Sequence, residues 1–318
     1  MSKEKTKFPI IQWIIVISVV TGCTPSIGTA ETLPTKSAVT ARPLITHAAV
    51  VQTPTLGATA VRSTTTREKD GMNMILIEAG EFSIGSEMGE PDERPVHKVS
   101  LDAYWIDETE VTNAMYAACV KAGACRLPME MGSYTRDHYY DSRQFSNYPV
   151  IHLDWTMAET YCKWAEARLP SEAEWEMAAG GSRGSIYPWG NEWDVVSIKR
   201  LNFADRNNPE AALEMSADDG FADTSPVGSF PGGQSVFGLY DMAGNVWEWI
   251  ADWYDPAYYA TSPANNPTGP NEPPLDFPEK RVLRGGSWVA SQNVFRVANR
   301  NGLEPSKSSS SIGFRCAR

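Results

Sequence analysis

The stretch Gly238-Leu-Tyr-Asp-Met-Ala-Gly-Asn-Val-Trp-Glu-Trp249 packs two carboxylates, two glycines and two tryptophans into twelve residues. Gly238 and Gly244 permit positive φ, so the segment can fold back and aim Asp241, Glu248 and intervening carbonyls at one point. That donor set suits Ca²⁺, which takes about six to eight oxygens from carboxylates and main-chain carbonyls without one fixed geometry. The plain alternative is a tight turn with solvated acids and Trp247 and Trp249 in the core. What surrounds the stretch decides between them. Asn202-Phe203 and Asp218-Asp219-Gly220-Phe221 form a second oxygen-rich pair of segments, with Gly220 allowing a sharp turn. Between Gly181 and the closing strands there is almost no periodicity, and coil of that length needs ions or disulfides in place of ladders. Tyr187-Pro-Trp-Gly190 and Pro263 to Pro274 read as ordered coil or turns.

The chain has 318 residues, an apolar fraction of 42%, 11 Trp, 24 Gly and 22 Pro, which fits a loop-rich globular fold of one or two domains. Its formal net charge is −11, with Lys3, Lys5 and Lys7 in a segment expected to be removed, so no nucleic-acid surface is expected. Residues 1–22 have a basic start, an apolar run from Phe8 to Val20 and small residues after it, the plan of a signal peptide. Val20-Thr21-Gly22-Cys23 resembles a bacterial lipobox, which implies cleavage before Cys23, its lipidation, and a membrane-anchored extracytoplasmic protein. Residues 23–70 follow as a Thr/Ala/Pro-rich linker lacking the apolar content to order itself. The folded domain is expected over 71–318.

Setting Cys23 aside leaves Cys119, Cys125, Cys162 and Cys316, an even number that reads as two disulfides with three possible connectivities. Gly123 lets the chain turn between Cys119 and Cys125, which makes that bridge geometrically easy and leaves Cys162 for Cys316.

Within the domain, Met74–Ile77 and Glu81–Ile84 flank Ala79-Gly80 as a hairpin, and Val96–Ile106 reads as one strand. Thr112 caps a helix from Asn113 to about Ala122, and Tyr134–Val150 reads as loop. Thr156 with Glu159 and Ser171 with Glu174 each make a capping box. Met157, Tyr161, Ala165 and Leu169 give the first of these helices its buried stripe, and Gly180-Gly181 ends the second. Arg281–Trp288 and Ile312–Arg315 are the last strands. His97 and His152 read as structural. With no HExxH, CxxC, GxSxG or glycine-rich phosphate loop, zinc hydrolysis, thiol exchange and nucleotide chemistry are excluded.

Six stretches, in order, resemble the successive motifs of the formylglycine-generating enzyme (sulfatase-modifying factor) family. They are Ile106-Asp-Glu-Thr-Glu-Val-Thr-Asn-Ala, Arg168-Leu-Pro-Ser-Glu-Ala-Glu-Trp-Glu, Tyr187-Pro-Trp-Gly-Asn, the opening stretch, Arg284-Gly-Gly-Ser-Trp and Ile312-Gly-Phe-Arg-Cys. The resemblance implies an α+β, irregular C-type-lectin-like fold of low secondary-structure content. It implies structural calcium held by Asn202, the Phe203 carbonyl, Asp219 and the Phe221 carbonyl at one site. At a second site the ligands would be Asp241, the Gly244 and Val246 carbonyls and Glu248; the family's reference members have Asn where this chain has Asp241. It also implies a Cys162–Cys316 disulfide and a cleft containing Trp247, Ser287 and Arg296.

The family binds copper through two cysteines and uses O₂ to oxidise a substrate cysteine to formylglycine. Here the first of those positions is Ala290, and Ser291–Arg296 is shortened and free of cysteine. Cu(I) needs soft ligands, so copper is not expected, and no catalytic residue is assigned. The function expected first is a non-catalytic binding or accessory module with a peptide or protein ligand in the cleft. The alternatives are an extracytoplasmic tailoring oxidoreductase of the pyoverdine-maturation type, or formylglycine generation on sulfatases.

Overall fold

The computed structural model describes residues 62–194, 196–208 and 216–318. The signal segment, Cys23 and the linker up to residue 61 lie outside the described residues. Among those described, no helix is long and apolar enough to cross a membrane.

Three small sheets and three short helices enclose the core. Strands β1 (Thr64–Thr66), β2 (Asn73–Ile77) and β5 (Tyr104–Asp107) form one antiparallel sheet in the order β1-β2-β5, and β3 (Gly80–Ile84) pairs with β4 (His97–Leu101). The third sheet runs β8-β7-β6-β9, from β6 (Trp247–Trp253), β7 (Arg281–Arg284), β8 (Asn301–Leu303) and β9 (Ile312–Gly313). Its only parallel pairing is β6 with β9. Helices α1 (Asn113–Lys121), α2 (Trp155–Trp164) and α3 (Glu172–Gly180) complete the regular structure.

Several expectations are met locally. The Thr112 hydroxyl accepts the Met115 N–H at the start of α1. Ser171 and Glu174 form the reciprocal capping box of α3, which ends at Gly181 with φ 68°. Both disulfides are present: Cys119–Cys125 and Cys162–Cys316, with Cα separations of 5.3 and 5.7 Å.

Others are corrected. Met74–Ile77 and Glu81–Ile84 do not form a hairpin, because neither Ala79 nor Gly80 takes the positive φ that a two-residue hairpin turn requires; the two strands belong to different sheets. Val96–Ile106 is two strands, broken where Asp102 donates its N–H to Asn266 Oδ1 and its carboxylate accepts from the Asn266 amide. The cap of α2 is Asp154, whose carboxylate accepts the Met157 N–H at 2.8 Å, and Thr156 lies inside the helix. A carboxylate caps well and also complements the positive end of the helix dipole. Met157 and Tyr161 are the buried face of α2, while Ala165 caps its end and Leu169 is buried beyond it.

The expected strand 281–288 stops at Arg284 because Gly285 and Gly286 have φ of 94° and 76°, and that expected at 312–315 stops at Gly313. Strand β6, absent from the sequence reading, is the centre of the largest sheet. The fold also starts ahead of residue 71. β1 pairs with β2, and Arg67, 4% exposed, reaches Asp107 at 2.7 Å and Asp70 at 2.7 Å. Asp70 in turn accepts the Tyr161 hydroxyl. The end of the linker is therefore an anchored strand and turn.

Candidate functional site

The loop that enters β6 is shaped by three left-handed residues, Asp241 (φ 57°), Gly244 (φ 81°) and Asn245 (φ 58°). Gly244 is required as glycine: a Cβ there would stand 2.3 Å from the Asn202 carbonyl oxygen. This close approach sets the two oxygen-rich clusters side by side.

At the first cluster, Asn202 is 1% exposed and its Nδ2 donates to the Asp223 carbonyl at 2.8 Å, while its Oδ1 is buried without a partner among the described residues. The Asp219 carboxylate accepts the Phe203 N–H at 2.9 Å and the Phe221 N–H at 2.8 Å. Burial pushes that carboxyl up to about 7, against the opposing pull of the two N–H groups. A buried acceptor with no donor and a desolvated carboxylate are groups that a bound cation would satisfy. These residues fit calcium.

At the second cluster, Glu248 is fully buried in β6. Arg315 grips it at 2.7 and 2.8 Å and the Trp175 indole N–H donates at 2.8 Å. Arg315 is itself fixed by the Tyr240 and Asp107 carbonyls. Asp241 accepts the Gly228 N–H at 2.7 Å, and burial raises its carboxyl above the ordinary range. Val246 is buried beside them. Among the described residues no three His, Cys, Asp or Glu side chains are arranged to hold a metal ion. A cation at either place must therefore draw on carbonyl and amide oxygens, as Ca²⁺ does.

Two residues here carry roles the sequence reading did not give them. Asn245, 0% exposed, joins the clusters: its Oδ1 accepts from Asn202 Nδ2 and the Ser225 N–H, and its Nδ2 donates to Glu110 at 2.9 Å. Glu110, also 0% exposed, keeps a second oxygen that meets no donor. An Asn following a glycine in a carboxylate-rich turn was the available signal for Asn245. Glu110 had none, since its burial depends on contacts 135 residues away.

The three expected cleft residues each have their own surroundings. Arg296 makes a bidentate ion pair with Glu93, both distances 2.6 Å, and lines a cavity of about 120 Å³ with Met88, Glu176 and Gly181. Trp247 is half-buried and donates its N–H to the Ser311 carbonyl. Ser287 is fully buried, and its hydroxyl has no partner. Ala290 bonds back to the Ser287 carbonyl and accepts the Ala204 N–H. The shortened segment after it forms a 3₁₀ turn, Gln292–Phe295, that seats Phe295 against Trp193 at 6.1 Å and Phe203 at 6.3 Å. Copper does not fit this neighbourhood, because aromatic carbon and backbone amides stand where soft ligands are needed.

An α+β fold with little regular structure, a long disulfide and paired oxygen clusters around a Gly-Asn turn defines a C-type-lectin-like domain. The profile described as "Sulfatase-modifying factor enzyme 1-like domain" matches residues 59–318, and the chain belongs to that family. It is 37% identical to the formylglycine-generating enzyme of Streptomyces coelicolor over 79% of this chain and 90% of that one. It is 31% identical to the inactive C-alpha-formylglycine-generating enzyme 2 of Bos taurus, over 77% of this chain and 88% of that one. Among solved structures, PvdO from Pseudomonas aeruginosa superimposes with a TM-score of 0.64 at 28% identity, covering 80% of this chain and 97% of PvdO.

Proposed function

We propose that this chain is an exported, lipid-anchored member of the family, held to a bacterial membrane through Cys23, that binds a peptide or protein segment and does not oxidise cysteine by the copper route. One observation carries this reading. Ala290 stands at the first thiolate position, and all four cysteines of the folded domain are tied up in disulfides. The domain therefore has no free thiol, and neither Ser291, Gln292 nor Asn293 offers a soft donor. A relative named as inactive supports the view that this fold is also used without its chemistry. Calcium is its structural cation, at Asn202, Phe203, Asp219 and Phe221 and again around Asp241, Gly244, Val246 and Glu248, supported by the unpartnered Asn202 oxygen.

The test incubates the purified domain with copper, O₂, reductant and a sulfatase-motif peptide carrying Cys, and follows the peptide by mass spectrometry. No aldehyde above a no-protein control is expected; aldehyde formation would overturn the reading. Cys23→Ala should abolish membrane fractionation, and an unchanged distribution would remove the anchor. A second reading, an extracytoplasmic tailoring oxidoreductase with another substrate, is favoured by Ser287, whose buried hydroxyl has no partner and is left for a bound group. For calcium, the midpoint of thermal unfolding should rise with free Ca²⁺, the added stability reaching about 2.7 kcal/mol at a hundredfold excess over Kd. A melting curve indifferent to Ca²⁺ and EGTA would remove the metal.

A further inference from the structure

The second cluster contains a carboxylate that the family's ligand set does not use. Glu110 lies in the segment between β5 and α1, 0% exposed. One of its oxygens accepts the Asn245 amide at 2.9 Å, and Oε2 meets no donor among the described residues. Its neighbour is Asp241, within hydrogen-bonding reach, which brings only further acceptor oxygens. Two buried carboxyl groups facing each other need a positive charge or a proton between them. Arg315, the nearest guanidinium, is committed through Nε and Nη2 to Glu248 and through its remaining donors to the Asp107, Glu108 and Tyr240 carbonyls. Glu248, for its part, already accepts three donors, two from Arg315 and one from Trp175.

We propose that in this chain Glu110 joins Asp241 and the Gly244 and Val246 carbonyls at the second calcium site, as a ligand added to the family's set, while Glu248 is shared with Arg315. Asp241, standing where the family's reference members have Asn, supplies the charge that makes a two-carboxylate site. The Asn245 amide orients Glu110 and at the same time supports Asn202 at the first cluster. Two carboxylates with carbonyl oxygens are an ordinary Ca²⁺ donor set.

This inference rests on the calcium reading, and the experiment separates the two. The oxidised domain is titrated with Ca²⁺ by calorimetry, alongside Glu110→Gln, Asp241→Asn and Glu248→Gln. Glu110→Gln and Asp241→Asn should each weaken one of two binding events by about tenfold or more. In EGTA, Glu110→Gln should melt no lower than the parent, since an amide replaces a crowded carboxyl. Unchanged stoichiometry and Kd in Glu110→Gln would overturn the assignment and leave a shared proton in its place. Should the variants fail to fold, crystals of the unsubstituted domain grown in Ca²⁺ decide through the anomalous signal. A peak within ligand distance of Glu110 is expected; a peak touching Glu248 and not Glu110 overturns the inference. A domain that binds no calcium anywhere would remove the earlier reading instead.

Discussion

The sheet built on β6 and the coil between residues 182 and 246 are neighbours held by different means. β6 has ladder bonds to β7 on one side and β9 on the other, and the Cys162–Cys316 bridge and the Glu248–Arg315 pair lock α2, β6 and the final motif together. In the coil, the described regular structure amounts to 3₁₀ turns at Ser197–Lys199 and Pro231–Gly233. Its backbone groups are satisfied instead by short side chains: Asp194 takes the Val196 and Ser197 N–H groups, Asp205 those of Asn207 and Asp219, and Asn245 that of Ser225. Alongside scattered backbone bonds such as Tyr187–Gly190 and Gly244–Gly285, these bonds each depend on one particular Asp or Asn, so single substitutions at those residues reach further there.

The largest expected effect tests the sheet side. Removing the long bridge with Cys162→Ala and Cys316→Ala should cost about 4–5 kcal/mol, since it closes a loop of 154 residues, against about 2 kcal/mol for the six-residue Cys119–Cys125 loop. Urea unfolding of the two double variants measures the difference, and equal losses would mean that the long bridge does not constrain the unfolded chain. Next is Asn245→Gly, which keeps the positive φ and deletes the side chain. It removes the side-chain acceptor of the Ser225 N–H, the donor to Glu110 and one of the two acceptors of the Asn202 amide, and should cost about 2–4 kcal/mol. Hydrogen exchange should accelerate through the coil while β6 and β7 keep their protection. Uniform acceleration would show that the two regions open as one unit.

The smallest effect concerns Asp252, buried in β6. Burial, with Glu172 nearby, raises its carboxyl well above the ordinary range, which favours the neutral form in the folded protein. An acid of this kind stabilises most below its unfolded pKa, about 4, and that contribution is lost as pH rises from there toward the raised folded value. Asp252→Asn keeps an acceptor for the Glu172 N–H and is neutral at every pH. It should therefore melt higher than the parent at pH 7 and match it near pH 4. A lower melting point at pH 7 would mean that the ionised carboxylate is used.

Features governed by near neighbours were legible in the sequence. Thr112 and Ser171 with Glu174 announced two helix starts, Gly181 a helix end, and the family motifs placed the oxygen clusters. Cap competition was harder: Thr156–Glu159 has the right spacing, yet Asp154 two residues earlier wins. Strand β6 was hidden because Trp-Glu-Trp-Ile-Ala-Asp-Trp is buried on both faces and shows no clean alternation. Its partners lie far along the chain in β7 and β9. The ion pair of Arg296 was hidden for a related reason. Its partner, Glu93, is 203 residues away, so nothing local showed that its guanidinium was already engaged.

The bridge from Cys162 to Cys316 also has a consequence in time. Arg315 supplies the grip on Glu248, the Cys316 N–H donates to Asp107, and Ala317 bonds to Arg168 and lies opposite Ile106, so residues 315–317 fasten segments made long before them. A ribosome adding about 5–20 residues per second needs roughly 8–30 seconds to travel the 154 residues between the two cysteines. Throughout that interval Cys162 is a thiol facing Cys119 and Cys125 as wrong partners, and the strand that will become β6 waits for β9. A nascent chain stalled anywhere before Arg315 therefore holds its motifs without their clasp.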